Sequence, residues 1–516
     1  MPYSPPRYPF RPVTDQGARH PIVVVGGGMV GLTAALDLAR HGQPVVLLDE
    51  DDTVSIGSRA ICHAKRTLEI FSRLGIGADL AARGVTWNTG RVFAGDQQVF
   101  AFNLLAESGH EFPAFINLQQ YHLEEILVAA CTRAGVDLRW KSRVTGLTQT
   151  QDGTILTIET PTGQYTLHAD WLLAADGARS PTRETMNLPF VGKVFRDRFL
   201  IADVTMRAAF PAERWFWFNP PFHPGGSVLL HRQADNVWRI DFQLGWNADP
   251  EAEKDPGKVR ARIAAMLGPT TEFELEWISV YTFRCRRLEK FRHGRIVFLG
   301  DAAHQVSPFG ARGGNGGIQD ADNLCWKLDA VLRGHAPDTL LDTYDAERIP
   351  AADENILNST RSTDFITPKN EAAHAYRDAI LALAANHAFA HPLVNSGRLS
   401  RPAILAASPL NTPDDAPWDG GLPPGAPAAD APVEDGWLLR HLAAGFTALV
   451  FGAAPAQMPA GITPIRLPAD GLAATRYGAT DGDVILIRPD QHIAARWHRC
   501  DPAAIETARR RCLCLT

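Results

Sequence analysis

Asp301 follows an apolar run, residues 295–299, and precedes a stretch holding Gly310, Gly313, Gly314 and Asn315. An acid delivered at a strand end can accept hydrogen bonds from ligand hydroxyls. The glycines beyond it let backbone approach a flat ring. The spacing predicts a strand, a Gly300-Asp301 turn, a glycine-rich loop and then a helix from near Asp320. Far upstream, Gly26, Gly28 and Gly31 follow the apolar run 22–25 with the spacing G-x-G-x-x-G. The first glycine makes the tight turn, the second admits a pyrophosphate, and the third lets helix pack on strand. A second apolar run, residues 44–48, ends in Asp49, where an acid meets a ribose hydroxyl in dinucleotide sites. Asp176-Gly177 closes a third apolar segment, residues 170–175, and by itself reads as an ordinary turn.

Two further acid–base candidates stand on strand-like runs. Residues 227–232 and 237–244 are joined by the turn Ala234-Asp235-Asn236. Period-two alternation on the second run separates Trp238, Ile240 and Phe242 from Arg239, Asp241 and Gln243. The polar face is either exposed or lines a polar pocket. His231 and Asp241 are the titratable groups to hand for moving a hydroxyl proton.

These elements imply an α/β architecture. Residues 1–20 read as a proline-rich arm and 21–195 as the first part of a nucleotide-binding domain. A mainly antiparallel sheet, 196–285, is inserted into that domain, which returns with helices over 286–407. Seven prolines between 409 and 432 mark 408–435 as a linker, and 436–516 forms a last unit with strand-like runs at 447–451 and 483–488.

Together the three motifs resemble the FAD-dependent aromatic hydroxylases, the single-component flavoprotein monooxygenases that act on para-hydroxybenzoate, phenol or 3-(3-hydroxyphenyl)propionate. Gly26 to Gly31, Asp176-Gly177 and Gly300-Asp301 stand in that family's order. Arg59-Ala60 before Thr67-Leu68-Glu69, and Gln120 four residues before Glu124, match further. Ser307 departs from the family, in which a proline often precedes Pro308. The resemblance implies a Rossmann-like FAD-binding domain, an inserted substrate sheet and a thioredoxin-like C-terminal domain. FAD would rest on Gly26, Gly28, Gly31, Asp49, Arg59, Gln120, Asp176, Gly177, Gly300, Asp301, Gly313, Gly314 and Asn315.

The same resemblance implies chemistry. NADH or NADPH reduces the flavin, the reduced flavin forms a C4a-hydroperoxide with oxygen, and a phenolic ring is hydroxylated. With no second glycine fingerprint, the nicotinamide cofactor would bind transiently. The family strand over the flavin aligns with residues 239–244, which favours the pocket reading. By that alignment His231 and Gln233 point the same way, and Gln233, Arg239, Gln243 and Pro308 contact substrate. Asp241 stands where para-hydroxybenzoate hydroxylase has a tyrosine, and its carboxylate-clamping arginine has no counterpart, which argues against para-hydroxybenzoate. Two other readings remain open. One is a flavin reductase or dehydrogenase without oxygen insertion. The other is a flavin halogenase, whose W-x-W-x-I-P element Trp215 to Pro220 superficially resembles, although Asn219 replaces the isoleucine.

Composition sets the class. The 516 residues carry 51 basic and 57 acidic side chains, a net charge of −6 without the basic footprint of nucleic-acid binding. No apolar run reaches the roughly 20 residues that span a bilayer, and the first 20 residues lack a secretory apolar core. Seven scattered cysteines without C-x-x-C, Cys500 among them, point to reduced thiols, a cytoplasmic location and no metal site. A homodimer is compatible with these features.

Overall fold

The computed structural model describes residues 3–515 apart from 209, 269, 398, 454–457, 499 and 500. A first sheet is built around the strand Arg19–Val25, paired in parallel with Val45–Leu48 on one side and Gly163–Ala174 on the other. Ile22, Val23 and Val24 are fully buried, as a strand covered on both faces requires, which explains the unbroken β-branched run. Ile296–Phe298 extends the sheet in parallel beside Gly163–Ala174. The three acids Asp49, Asp176 and Asp301 thus leave the carboxyl ends of neighbouring strands, where open α/β sheets bind ligands.

The second eight-stranded sheet is larger than the segment 196–285. Its long strands are Phe190–Met206 and Phe273–Leu288, paired antiparallel. Beyond Val237–Leu244, Ser227–Arg232 and Arg214–Phe218 it takes in Thr89–Ala94 and Gln97–Asn103. The last two strands come from the segment read as nucleotide-binding, and Thr89–Ala94 joins in parallel. A short strand does not carry its partner in its own sequence, so this assignment had to come from packing. Trp238, Ile240 and Phe242 pack with Val259 and Ile263 on the outer face, together with Trp217 and Phe93. Trp215 and Trp217 are therefore part of that aromatic layer.

The helix expected from Asp320 begins seven residues earlier and spans Gly313–Leu332. Gly313, Gly314, Gly316 and Gly317 weaken its local propensity, which is why the sequence reads as loop. Packing compensates. A Cβ on Gly317 would lie 2.6 Å from the Val30 side chain, and one on Gly314 3.0 Å from the Met29 sulfur. The helices Met29–Arg40 and Gly313–Leu332 can meet only because these residues have no side chain.

The C-terminal unit has a four-stranded sheet ordered Ile462–Leu467, Phe446–Phe451, Asp483–Ile487, Ile493–His498, with the helix Pro502–Cys512 after it. The proline-rich stretch is a connection but not a free linker. Leu410 and Ala426 are fully buried, and Thr412, Gly425 and Ala428 donate backbone hydrogen bonds of 2.8, 2.7 and 2.8 Å to Ala494, Ile493 and Gln491. Charge ties this unit to the nucleotide-binding part. Arg488 bridges Glu347, which Lys327 also reaches at 2.6 Å, and Asp490, while Arg66 donates to the Asp490 carbonyl oxygen at 2.8 Å and to Gln491 Oε1 at 2.9 Å, all buried. The N-terminal arm packs down through Tyr8 stacked on Trp140 at 4.5 Å and Tyr3 on Tyr121 at 4.4 Å. Six cysteines are unpaired thiols, and Cys500 lies outside the described residues. Among the described residues no helix is long and apolar enough to cross a membrane, and no cluster suits a metal ion.

Candidate active site

The fingerprint glycines are required by geometry. Gly26 has φ +106°, and a Cβ there would sit 2.4 Å from the Ala175 carbonyl oxygen. A Cβ on Gly31 would lie 2.0 Å from the Gly26 carbonyl oxygen, whereas Gly28 has nothing nearer than Glu124 Oε1 at 3.7 Å. The middle position is thus the open one, at the start of the helix Met29–Arg40, where unpaired amides favour a pyrophosphate. Met29 N donates to Glu124 Oε1 at 3.1 Å and Ser55 N to Glu124 Oε2 at 2.8 Å. Gln120 joins this support: its Nε2 donates to Glu124 at 2.7 Å, and its Oε1 accepts from Ala60 N at 3.1 Å, fixing the residue after Arg59. Arg59 itself is exposed, with φ +35°.

The three acids differ in their partners. Asp49 accepts from Gly27 N and, at 2.8 Å, from Asp51 N, and burial raises its carboxyl to about 6. Asp176 Oδ2 accepts from Thr182 N at 2.9 Å, while its buried Oδ1 has no protein partner. Asp301 reaches water, and no described residue hydrogen-bonds its carboxylate. The protein around it removes part of its hydration, which raises its carboxyl against the pull of His304 and Arg183. The loop beneath it is rigid: Gly300 (φ +57°) donates to Asp320 Oδ2 at 3.0 Å, and His304 and Arg348 each reach Asp320 at 2.7 Å. His304 is therefore a support for the loop. Gly313 faces Asp301, its hypothetical Cβ 3.9 Å from Oδ1, and Gly177 has open space around it. The Asn315 side chain is committed to Ala64 N (2.9 Å), Thr67 Oγ1 (2.6 Å) and Cys62 O (2.9 Å), leaving only its backbone for a ligand. An open glycine, an unsatisfied acid oxygen and an unpartnered carboxylate at the strand ends fit an elongated polyhydroxylated dinucleotide such as FAD.

Cross-strand pairing assembles the second half of the site. His231 pairs with Arg239 across one ladder and Arg239 with Asp203 across the next, so the three share one face. Asp241 lies two residues along and accepts from Arg239 Nε at 2.9 Å, while Arg239 also donates to the Arg59 carbonyl oxygen. All four side chains are buried. Burial, then Arg214 and Arg239, drive the His231 pKa well below its ordinary value, so its imidazole is neutral. The remaining candidates frame this group. Gln233 is buried and donates to Asp203 at 3.3 Å. Gln243 is turned to the Ser227 amide at 3.0 Å. Pro308 is exposed and precedes Phe309, which packs edge-on to Phe199 and Phe283 at 5.1 and 5.2 Å.

Four residues of this site escape sequence reasoning. Asp203 is a lone acid in the apolar run 199–204, a signal that could have marked it. Arg214 is buried, has no carboxylate in ion-pair range among the described residues, and is pushed down to about 10 by burial. Tyr281 is 43% exposed and packs on Phe283 at 5.6 Å, and desolvation and then the Asp301 charge raise its hydroxyl to about 12. Asn117 touches His231.

Burial lifts the Asp203 carboxyl from 3.8 to about 6, although Arg239 pulls it down. A raised folded pKa adds stability below the unfolded pKa, and that contribution is lost as pH rises through the folded value. Asp203→Asn should therefore unfold at higher denaturant than the wild type at pH 8, by at most about 3 kcal/mol at 1.36 kcal/mol per pKa unit. The gap should close near pH 4. A gap equal at both pH values would show that Asp203 is not a destabilised acid.

Comparison with known proteins agrees with the geometry. The family described as FAD binding domain matches residues 19–359. A flavin-dependent monooxygenase of Mycobacteroides abscessus is 30% identical over 498 residues, 92% of this chain and 96% of that protein. A 3-(3-hydroxy-phenyl)propionate/3-hydroxycinnamic acid hydroxylase of Mycolicibacterium smegmatis is 29% identical over 369 residues, 70% of this chain and 64% of that enzyme. The crystal structure of the flavin-dependent monooxygenase PieE with FAD and substrate shares the fold, with a TM-score of 0.81 at 24% identity, over 96% of this chain and 99% of that one. The matched span holds all three acid turns and the whole second sheet, and with it the chain belongs to the FAD-dependent monooxygenases.

Proposed function

We propose that this monooxygenase hydroxylates a phenolic ring, consuming one dioxygen and one NADH or NADPH per product and releasing water. The observation that carries the reading is the buried polar face of His231, Arg239, Asp241 and Asp203, which by strand register is continuous with Phe199, itself packed against Phe283 and Phe309. An aromatic ring fits the apolar part, and its hydroxyl fits the polar part. FAD, when bound, supplies the electron transfer to dioxygen that a closed-shell ring cannot undergo alone. His231 and Asp241 hold the substrate hydroxyl and polarise or deprotonate it, which makes the ring electron-rich. The apolar wall excludes water, which would otherwise divert reducing power to hydrogen peroxide. The hydroxyphenylpropionate hydroxylase among the relatives bears a name that agrees with a phenolic substrate.

Electron delivery has its own support. Arg183, which lies near Asp301, and Arg286 are lowered in basicity by burial and then by the charge of Arg284 beside them, and among the described residues none of the three is ion-paired to a carboxylate. Such a patch suits the pyrophosphate of a transiently docked nicotinamide dinucleotide. We also infer that residues 436–516 form a thioredoxin-like unit in a structural or dimer-contacting role. Its four-stranded mixed sheet supports that reading, and without C-x-x-C it has no dithiol chemistry. Free thiols favour the reducing cytoplasm.

Oxygen uptake with NADH or NADPH and a panel of phenols tests the function. Substrate-stimulated uptake with an added ring hydroxyl is expected. Hydride consumption that proceeds without oxygen and yields a reduced organic product would make the enzyme a reductase instead. His231→Ala should raise hydrogen peroxide and lower hydroxylated product, while FAD content stays unchanged. Wild-type coupling in both His231→Ala and Asp241→Ala would move the substrate contacts elsewhere.

A further inference from the structure

The imidazole of His231 is neutral, so its role turns on which nitrogen carries the proton. Three buried side chains answer this in sequence. Trp87 lies on the strand Val85–Trp87 and Asn117 on the strand Phe115–Asn117, paired antiparallel. An indole N–H can only donate. Trp87 Nε1 meets Asn117 Oδ1 at 2.8 Å, so that atom is the amide oxygen and Nδ2 is the donor. Nδ2 gives one hydrogen to the Arg232 carbonyl oxygen at 2.8 Å, an acceptor with no other choice. Its remaining hydrogen faces His231 Nδ1 at 3.4 Å. A proton on Nδ1 would point at another N–H, so Nδ1 must offer its lone pair. Nε2, which has no protein partner among the described residues, then bears the hydrogen.

We propose that Trp87 and Asn117 are positioning residues that lock His231 as the Nε2–H tautomer, so that it presents a hydrogen-bond donor to the substrate oxygen. The inference rests on the reading of His231 as a substrate contact and divides the labour within it. A donor next to the Arg239 guanidinium selects an oxygen that accepts, namely a phenolate or a carbonyl. The phenol O–H bond then breaks toward Asp241, whose Oδ2 has no protein partner among the described residues. The electron pair stays on the phenolate oxygen under the His231 N–H. His231 in this arrangement stabilises the anion and is not the base.

The tautomer can be read directly from the imidazole nitrogens in holoenzyme labelled with 15N-histidine, with the His231 signals assigned by their loss in His231→Gln. The expected wild-type result is a single Nε2–H tautomer without substrate. Asn117→Leu and Trp87→Phe should each give a mixture, the second with the ring packing kept. Asn117→Asp, which can only accept, should invert the ring to Nδ1–H and lower product formed per NAD(P)H about tenfold at unchanged FAD content. An Nδ1–H tautomer in the wild type overturns the proposal, as does an Nε2–H tautomer that persists through Asn117→Asp. Should the Asn117 variants fail to fold, the wild-type and Trp87→Phe spectra decide. Because the tautomer is read without substrate, it stands or falls separately from the hydroxylation assay. A locked Nε2–H ring in a protein that hydroxylates no phenol would overturn the function and not the lock.

Discussion

Asp301→Ala is expected to strip FAD from the protein. The carboxylate stands at the strand end with no protein hydrogen-bond partner among the described residues, held out by a loop that Asp320, His304 and Arg348 fix from below. A charged acceptor that the protein leaves unused is available to the cofactor, and hydrogen bonds to charged groups are worth about 1.5–3 kcal/mol each. Loss of one or two should weaken FAD binding by about 3 kcal/mol, roughly a hundredfold in Kd. The fold should be unaffected, since removing the side chain leaves no protein donor unsatisfied. Flavin-to-protein absorbance after gel filtration, with circular dichroism as the control, measures both. Full occupancy with unchanged affinity would remove Asp301 from the cofactor site.

Arg488→Ala should cause the largest loss of stability. The Arg488 side chain is completely buried and neutralises two carboxylates, Glu347 on the helix Asp342–Ile366 and Asp490 in its own unit. Alanine would leave these acids facing each other with Lys327 as the near cation. Breaking a buried ion pair from one side costs about 3–5 kcal/mol, because the stranded charge has lost its hydration without replacement. Denaturant unfolding should show that loss, and protease should release the C-terminal unit at lower denaturant. Adding Glu347→Gln to Arg488→Ala should recover part of it. If the double variant is no more stable than the single one, the stranded charge is not the cause.

Both effects involve acids, but only Asp301 was legible in the sequence. Its position follows from a local rule, a strand end followed by glycines, and the same holds for Gly26, Gly28, Gly31 and Asp49. Each glycine sits where a Cβ would collide or a ligand must enter, and those constraints act within a few residues or across one fixed strand–helix turn. The face carrying Arg239 and Asp241 was legible too, because side chains in a strand alternate with period two whatever their partners. The pairing of Glu347 with Arg488 could not be read that way, since it is a contact across 141 residues.

The same limit applies inside the site. The sequence by itself determined the strand–turn–helix of the cofactor cleft, the two strands 227–232 and 237–244, and the polarity of one face. Only the tertiary structure decided that Asp203 and His231 flank Arg239, because antiparallel register is set by packing and not by either strand alone. Tertiary packing also started a glycine-rich helix at Gly313, where propensity opposes one and the close approach of Met29 and Val30 demands it. The proline-rich stretch became a buried strap against residues 491–494 for the same reason: backbone groups next to a sheet edge find partners there. Local sequence specifies turns and alternation because their forces act over a few residues. Which charged groups end up facing one another is fixed by contacts between distant segments, and in this protein that is where the buried polar face of the second sheet is made.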